Sequence, residues 1–189
     1  FRDAPKPLIV ARAQQGLRVA VLDVDQVYDA FAAGRAGPDA IRALVRHALS
    51  KWTAPAPRYL LLAGDASYDP DGRLKGTEMD HIPSRPVYTI FNGWSMSDVW
   101  YALPDDTPAA RPAIAVGRLP AQTAEQMAVL VAKTLSYEEK GNAGPWRNNV
   151  LLVADDDESG FATETNEFAG QLEGYQTELT TIRDGGAET

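Results

Sequence analysis

The chain has 189 residues, 44% of them hydrophobic and 23% charged, with no cysteine and a net charge of −8 from 26 acidic and 18 basic residues. Zero Cys excludes a disulfide, a thiolate metal site and a cysteine nucleophile within these residues. The acidic balance, with Lys and Arg dispersed, speaks against nucleic-acid binding, and no apolar run reaches the roughly 18 residues a membrane span needs.

Residues 8–15 predict a short helix that stops at Gly16. Residues 17–24 (Leu-Arg-Val-Ala-Val-Leu-Asp-Val) read as a buried strand. Gly37-Pro38-Asp39 opens a helix with Pro38 in its first turn. Ile41, Leu44, Val45, Ala48, Leu49 and Trp52 give that helix one apolar face, and Thr53-Ala-Pro-Ala-Pro57 ends it. Residues 58–63 are apolar on both faces, as in a parallel sheet covered on both sides.

Residues 64–112 form a long excursion rich in Gly, Pro and Asp, with short β-like runs at 87–91 and 99–102 and a hairpin-like element. Loops of this length are usually functional. A short strand is expected at 114–116. Thr123 then caps a helix, with Gln126 completing a capping box; Met127, Leu130, Val131, Thr134 and Leu135 are its buried stripe. Residues 149–154 predict a strand, Ser159 or Gly160 starts a helix bearing Phe161, Phe168 and Leu172, and 177–182 is the last strand. Alternating strands and helices imply one α/β domain over residues 1–189, a three-layer sandwich with a mostly parallel central sheet.

Ligands of such folds bind at the carboxyl ends of the strands. There the sequence places Asp23 and Asp25, Asp65, Arg118, and the run Asp155-Asp156-Asp157-Glu158. Clustered carboxylates must bind a cation, pair with Arg118 or accept backbone hydrogen bonds, and helix capping accounts for the Asp155–Glu158 run most simply. Asp69-Pro70-Asp71-Gly72 lacks the ligand spacing of an EF-hand. A turn explains it better, with irregular calcium coordination by Asp65, Asp69 and Asp71 as the alternative. His47 is expected at the surface. His81 lies in the excursion without a partner at recognisable spacing. Ser67 and Ser97 lack a nucleophile elbow, and no phosphate-binding glycine loop occurs.

Several segments in order carry a resemblance: Arg58-Tyr59-Leu60-Leu61-Leu62-Ala63-Gly64-Asp65, Ser97-Asp98-Val99-Trp100-Tyr101, and Ala115-Val116-Gly117-Arg118-Leu119-Pro120. Residues 133–138, Trp146 and Leu151-Leu152-Val153-Ala154-Asp155 continue it. Together they resemble the gingipain-type cysteine peptidase family. The resemblance implies the first subdomain of a caspase-like catalytic domain. The catalytic His, in a Gly-His-Gly setting, and the Cys belong to the second subdomain, so the chain as given is expected to be inert. It further implies that Asp156 or Asp157, beside Asp155, supports that His, and that Asp65, Asp98, Arg118 and Asp155 rim a pocket. No cofactor is required, and structural calcium fits the family. The implied partners are the C-terminal half of the parent catalytic domain and a peptide or protein substrate, in a secreted or cell-surface bacterial protein. Two other readings stand beside it. One is a non-catalytic α/β module that binds calcium or a partner. The other is a magnesium-dependent phosphatase-like domain built on Asp23-Val24-Asp25 and Asp155-Asp156.

Overall fold

The computed structural model describes residues 2–69, 73–74, 80–107, 110–139, 141, 143–155 and 158–182. The chain divides into two compact units, Phe1–Leu135 and Ser136–Thr189, each described by itself.

The first unit opens with helices α1 (Lys6–Gln14), α2 (Val24–Ala32) and α3 (Pro38–Lys51). Pro38 stands in the first turn of α3, where its missing N–H costs nothing. Strand β1 (Tyr59–Ala63) follows, then the hairpin β2 (Arg85–Thr89) and β3 (Gly93–Ser97), and a 3-10 turn at Val99–Ala102. Strand β4 (Ala115–Leu119) and helix α4 (Ala124–Glu138) complete the series. β4 pairs parallel with β1, Tyr59 opposite Ala115 and Leu62 opposite Arg118, so the excursion is the crossover that a parallel pair requires.

Strand alternation sends Leu60, Leu62 and Val116 to one face, where they meet Val27, Tyr28, Ile41, Val45, Trp100 and Tyr101. Ala63 and Leu119 meet Leu8, Ala121, Met127 and Val131 on the other. Helices therefore cover both faces of the β1–β4 pair, although Tyr59, at the amino end of β1, and Leu61, at its middle, stay exposed. The capping box closes as its spacing predicts. The N–H of Gln126 donates to Thr123 Oγ1 at 3.2 Å, and the N–H of Thr123 donates to Gln126 Oε1 at 3.2 Å.

Two expectations are corrected. Residues 17–23 form no strand, and their Val19, Val21 and Leu22 are exposed. Among the described residues, no backbone hydrogen bond reaches residues 18–22, and an apolar run becomes a strand only against a partner. Asp23 serves instead as the N-cap of α2, accepting the N–H of Asp25 at 3.0 Å, and it pairs with Arg2. With no strand before Asp23, the phosphatase-like Asp-x-Asp arrangement has no scaffold. Residues 99–102 are a 3-10 turn, because the N–H of Tyr101 returns to the carbonyl of Asp98 at 3.1 Å.

The second unit holds a 3-10 turn at Pro145–Asn148, strand β5 (Asn149–Asp155), helix α5 (Ser159–Ala169) and strand β6 (Gln176–Ile182). β5 and β6 pair parallel, Asn149 opposite Gln176, a βαβ unit as the alternation predicts. Arg147 lies 4.5 Å above the Tyr137 ring and 5.2 Å above that of Trp146, and it donates to the Tyr137 carbonyl.

Candidate functional site

The carboxyl ends of β1 and β4 are organised by Arg118. It follows Val116 by two residues on β4 and so shares the core-facing side. A guanidinium there must find partners for its N–H groups, and it finds one for each of the five. Nε and Nη2 donate to the two carboxylate oxygens of Asp98, both at 2.7 Å. Nη1 donates to the carbonyls of Gly64 and Ile82, both at 2.7 Å, and Nη2 also to that of Pro83 at 3.1 Å. The Tyr101 hydroxyl donates to the same Pro83 carbonyl. Arg118 thus ties the end of β1, the segment leading into the hairpin and the residue leaving it to a single side chain. No N–H is left over for a ligand.

Asp65 sits beside this clamp. Its Oδ1 accepts the N–H of Ala66 at 2.9 Å and its Oδ2 the amide of Gln122 at 2.9 Å. Its carbonyl accepts the N–H groups of His81 and Ile82 at 3.0 and 3.1 Å. Gly64 allows this approach: a Cβ there would lie 2.9 Å from His81 Cβ and 2.9 Å from Ile82 Cγ1.

Burial pushes the Asp98 carboxyl up, but hydrogen bonds from Arg118 and Ser84 and the guanidinium charge outweigh it and hold it below the ordinary range. Asp80, which accepts the N–H of Ser67, goes the other way: burial raises it beyond what that bond and the Arg118 charge recover, and Asp65 adds repulsion. Tyr28 is pushed up to about 12, by burial first and then by the charges of Asp80 and Asp25, against a backbone hydrogen bond from Gly37. Burial and the Asp98 charge likewise raise Tyr101.

The two carboxylates should leave opposite marks on a stability–pH curve. The stability that Asp98 contributes is complete above its unfolded value of about 3.9 and is lost as pH falls through the lower folded one. That of Asp80 is complete below about 3.9 and is lost as pH rises through the raised folded value. Asp98→Asn should therefore lower the Tm at neutral pH, with the deficit closing in acid. Asp80→Asn should raise the Tm at neutral pH, with the gain closing toward acid. Thermal melts across pH that move both variants in the same direction would contradict this assignment.

Of the residues singled out in the sequence, Asp65, Asp98 and Arg118 come together. Asp69 is buried and its Oδ2 accepts the N–H of Leu74 at 2.6 Å. Asp155 is exposed at the end of β5 in the other unit. Asp71, Asp156 and Asp157 lie outside the described residues. Among the described residues no three His, Asp or Glu side chains converge as a metal cage. His47 is at the surface, edge-on to Phe31 at 5.6 Å. Sequence reasoning missed Tyr28, Asp80, Ser84 and Tyr101. For Tyr101 the three-residue step from Asp98, which closes one 3-10 turn, was a usable signal.

The fold is that of a caspase-like α/β domain. The solved complex of Porphyromonas gingivalis RgpB pro- and mature domains is similar to it, with a TM-score of 0.67 and 21% identity over 97% of this chain and 40% of that one. The chain thus spans well under half the length of the structure it matches. The model for peptidase family C25 matches residues 1–184, and the chain belongs to that family, the gingipain-type cysteine peptidases. No curated protein matches it. No described helix is long and apolar enough to cross a membrane.

Proposed function

We propose that this chain is the nucleophile-free first half of a gingipain-like cysteine endopeptidase whose Cys and His lie in polypeptide outside these residues. The observation that carries the reading is the family match over residues 1–184 in a chain without cysteine. In the complete enzyme the thiolate attacks the peptide carbonyl and the imidazolium protonates the leaving amine. Asp156 or Asp157 would orient that imidazole and favour its charged form, and Asp65 and Asp98 form an acidic margin at the carboxyl ends of β1 and β4. Arg118 supports that margin from within as a positioning residue. The family relationship also supports export from a bacterial cell, and calcium bound at Asp65, Asp69 and Asp71 would stabilise the fold.

The purified 189-residue chain should hydrolyse no peptide substrate. The complete gene product should turn over peptides and lose that activity to iodoacetamide. Asp156→Asn/Asp157→Asn in the complete enzyme should lower kcat and shift its pH profile, because the imidazole loses its charged support. Thiol-dependent turnover by the 189-residue chain, or a gene product without a reactive Cys, would overturn the reading.

A further inference from the structure

The hairpin β2–β3 wears its alternation inside out. A surface hairpin ordinarily turns polar side chains to water and apolar ones inward. Here the inward set is Arg85, Val87, Thr89, Ser95 and Ser97, all partly covered, with Val87 against the core. The outward set is Pro86, Tyr88, Trp94 and Met96, paired across the strands as Pro86 opposite Met96 and Tyr88 opposite Trp94. The Tyr88 and Trp94 rings meet edge to face at 5.7 Å. Ile90 and Phe91 stand exposed at the turn that joins the two strands.

The exposures are 69% for Tyr88, 89% for Ile90, 95% for Phe91, 74% for Trp94 and 42% for Met96. At about 200 Å² per large side chain these leave roughly 700 Å² of mainly apolar surface. That exceeds the usual largest patch on a monomer, about 300–600 Å², and approaches one partner's share of a standard interface, about 800 Å².

Residues 86–97 carry no charge in a chain that is 23% charged. Interface cores show this same depletion of charge with enrichment in Tyr, Trp, Phe and Met, most strongly where the partner is permanent. A second copy would have to bring two chains of −8 together, whereas another part of the same polypeptide need not. The hairpin is also held ready for docking. Arg118 grips Pro83 just before it and Asp98 just after it. At the turn, Thr89 Oγ1 donates to the Gly93 carbonyl at 3.1 Å and accepts the N–H of Asn92 at 3.2 Å. A rigid element gives up little entropy on binding.

We infer that the outer face of the β2–β3 hairpin is a permanent docking surface, covered in the complete peptidase by an uncharged apolar face of polypeptide outside residues 1–189. This rests on the proposed function, since it takes the remainder of the peptidase as the partner. The test is hydroxyl-radical footprinting of the complete gene product, with exposed Tyr68 and fully buried Met127 as internal standards. Phe91, Trp94 and Met96 should lose most of the reactivity that their exposure in this chain requires, because the fully buried core of an interface excludes solvent. Phe91→Asp should restore their reactivity.

Oxidation at exposed rates overturns the inference. Protection that disappears on dilution assigns the face to a second copy, and protection that needs added phosphatidylcholine vesicles assigns it to lipid; either also overturns it. The same preparation is assayed for iodoacetamide-sensitive turnover. Turnover with an exposed hairpin defeats this inference alone, while a protected hairpin without thiol-dependent turnover defeats the peptidase reading and leaves the covered face standing.

Discussion

Arg118→Ala should cost about 3–5 kcal/mol of unfolding free energy, the usual penalty for removing one member of a buried ion pair. Against a typical total of about 5–15 kcal/mol, that is a large share. The loss has two parts. The Asp98 carboxylate, which is three-quarters buried, keeps its charge and loses its bidentate partner. The carbonyls of Gly64, Ile82 and Pro83 lose a donor at the same time. Arg118→Lys should recover only a minor part, because three donors on one nitrogen cannot span a carboxylate and three carbonyls that a planar fork reaches together. Urea unfolding would measure both variants, and hydrogen exchange should show residues 81–98 opening first. Since Arg118 and Asp98 share one network, Arg118→Ala/Asp98→Ala should cost less than the two single changes together. A lysine variant within about 1 kcal/mol of the parent would show that the clamp is a simple charge pair.

The helices that sequence periodicity revealed are those with one uninterrupted apolar stripe. α3 buries Ile41, Val45 and Ala48, and α4 buries Met127 and Val131. β1 and β5 were legible because continuous apolar runs bounded by Pro or Asp have few other uses. What the sequence hid depended on partners distant in the chain. Residues 17–23 have the composition of a strand but meet no ladder. Val99-Trp100-Tyr101 has β propensity, yet packing of Trp100 and Tyr101 into the core favours a tight turn. β3, with Gly93, Ser95 and Ser97, has a weak strand composition and exists because β2 lies opposite.

At the site, Asp65, Asp98 and Arg118 could each be named from position after a strand or from family motifs. That Arg118 is used up internally could not, since that depends on which residues of the excursion fold back over β4. Arg42 shows the same limit. It adjoins Ile41 on α3 and is not among the apolar positions that mark the buried face, but it is buried with hydrogen bonds to the carbonyls of Leu103 and Asp105 at 3.2 and 3.0 Å and to Asp106 at 2.7 Å.

The second large effect is expected at Trp100. Two guanidiniums lie over its ring, that of Arg42 at 4.1 Å from the centroid and that of Arg85 at 4.6 Å, and its Nε1 donates to Asp106 at 3.0 Å. Arg42 Nε has no hydrogen-bond partner, so the ring's negative face supplies favourable contact where a hydrogen bond is missing. Trp100→Ala should cost about 3–5 kcal/mol, the range for truncating a large buried aromatic, because it opens a cavity and removes the face over a buried cation together. Trp100→Phe should recover most of this, since it keeps a ring for the two arginines to lie over and gives up the indole N–H. Chemical unfolding followed by far-ultraviolet circular dichroism measures both without relying on the tryptophan signal. If the cation over the ring contributes, Arg42→Met should cost less in the Trp100→Ala background than in the parent. Equal costs in both backgrounds would reduce Trp100 to a filler of volume and leave the hydrogen bonds of Arg42 as its only anchor.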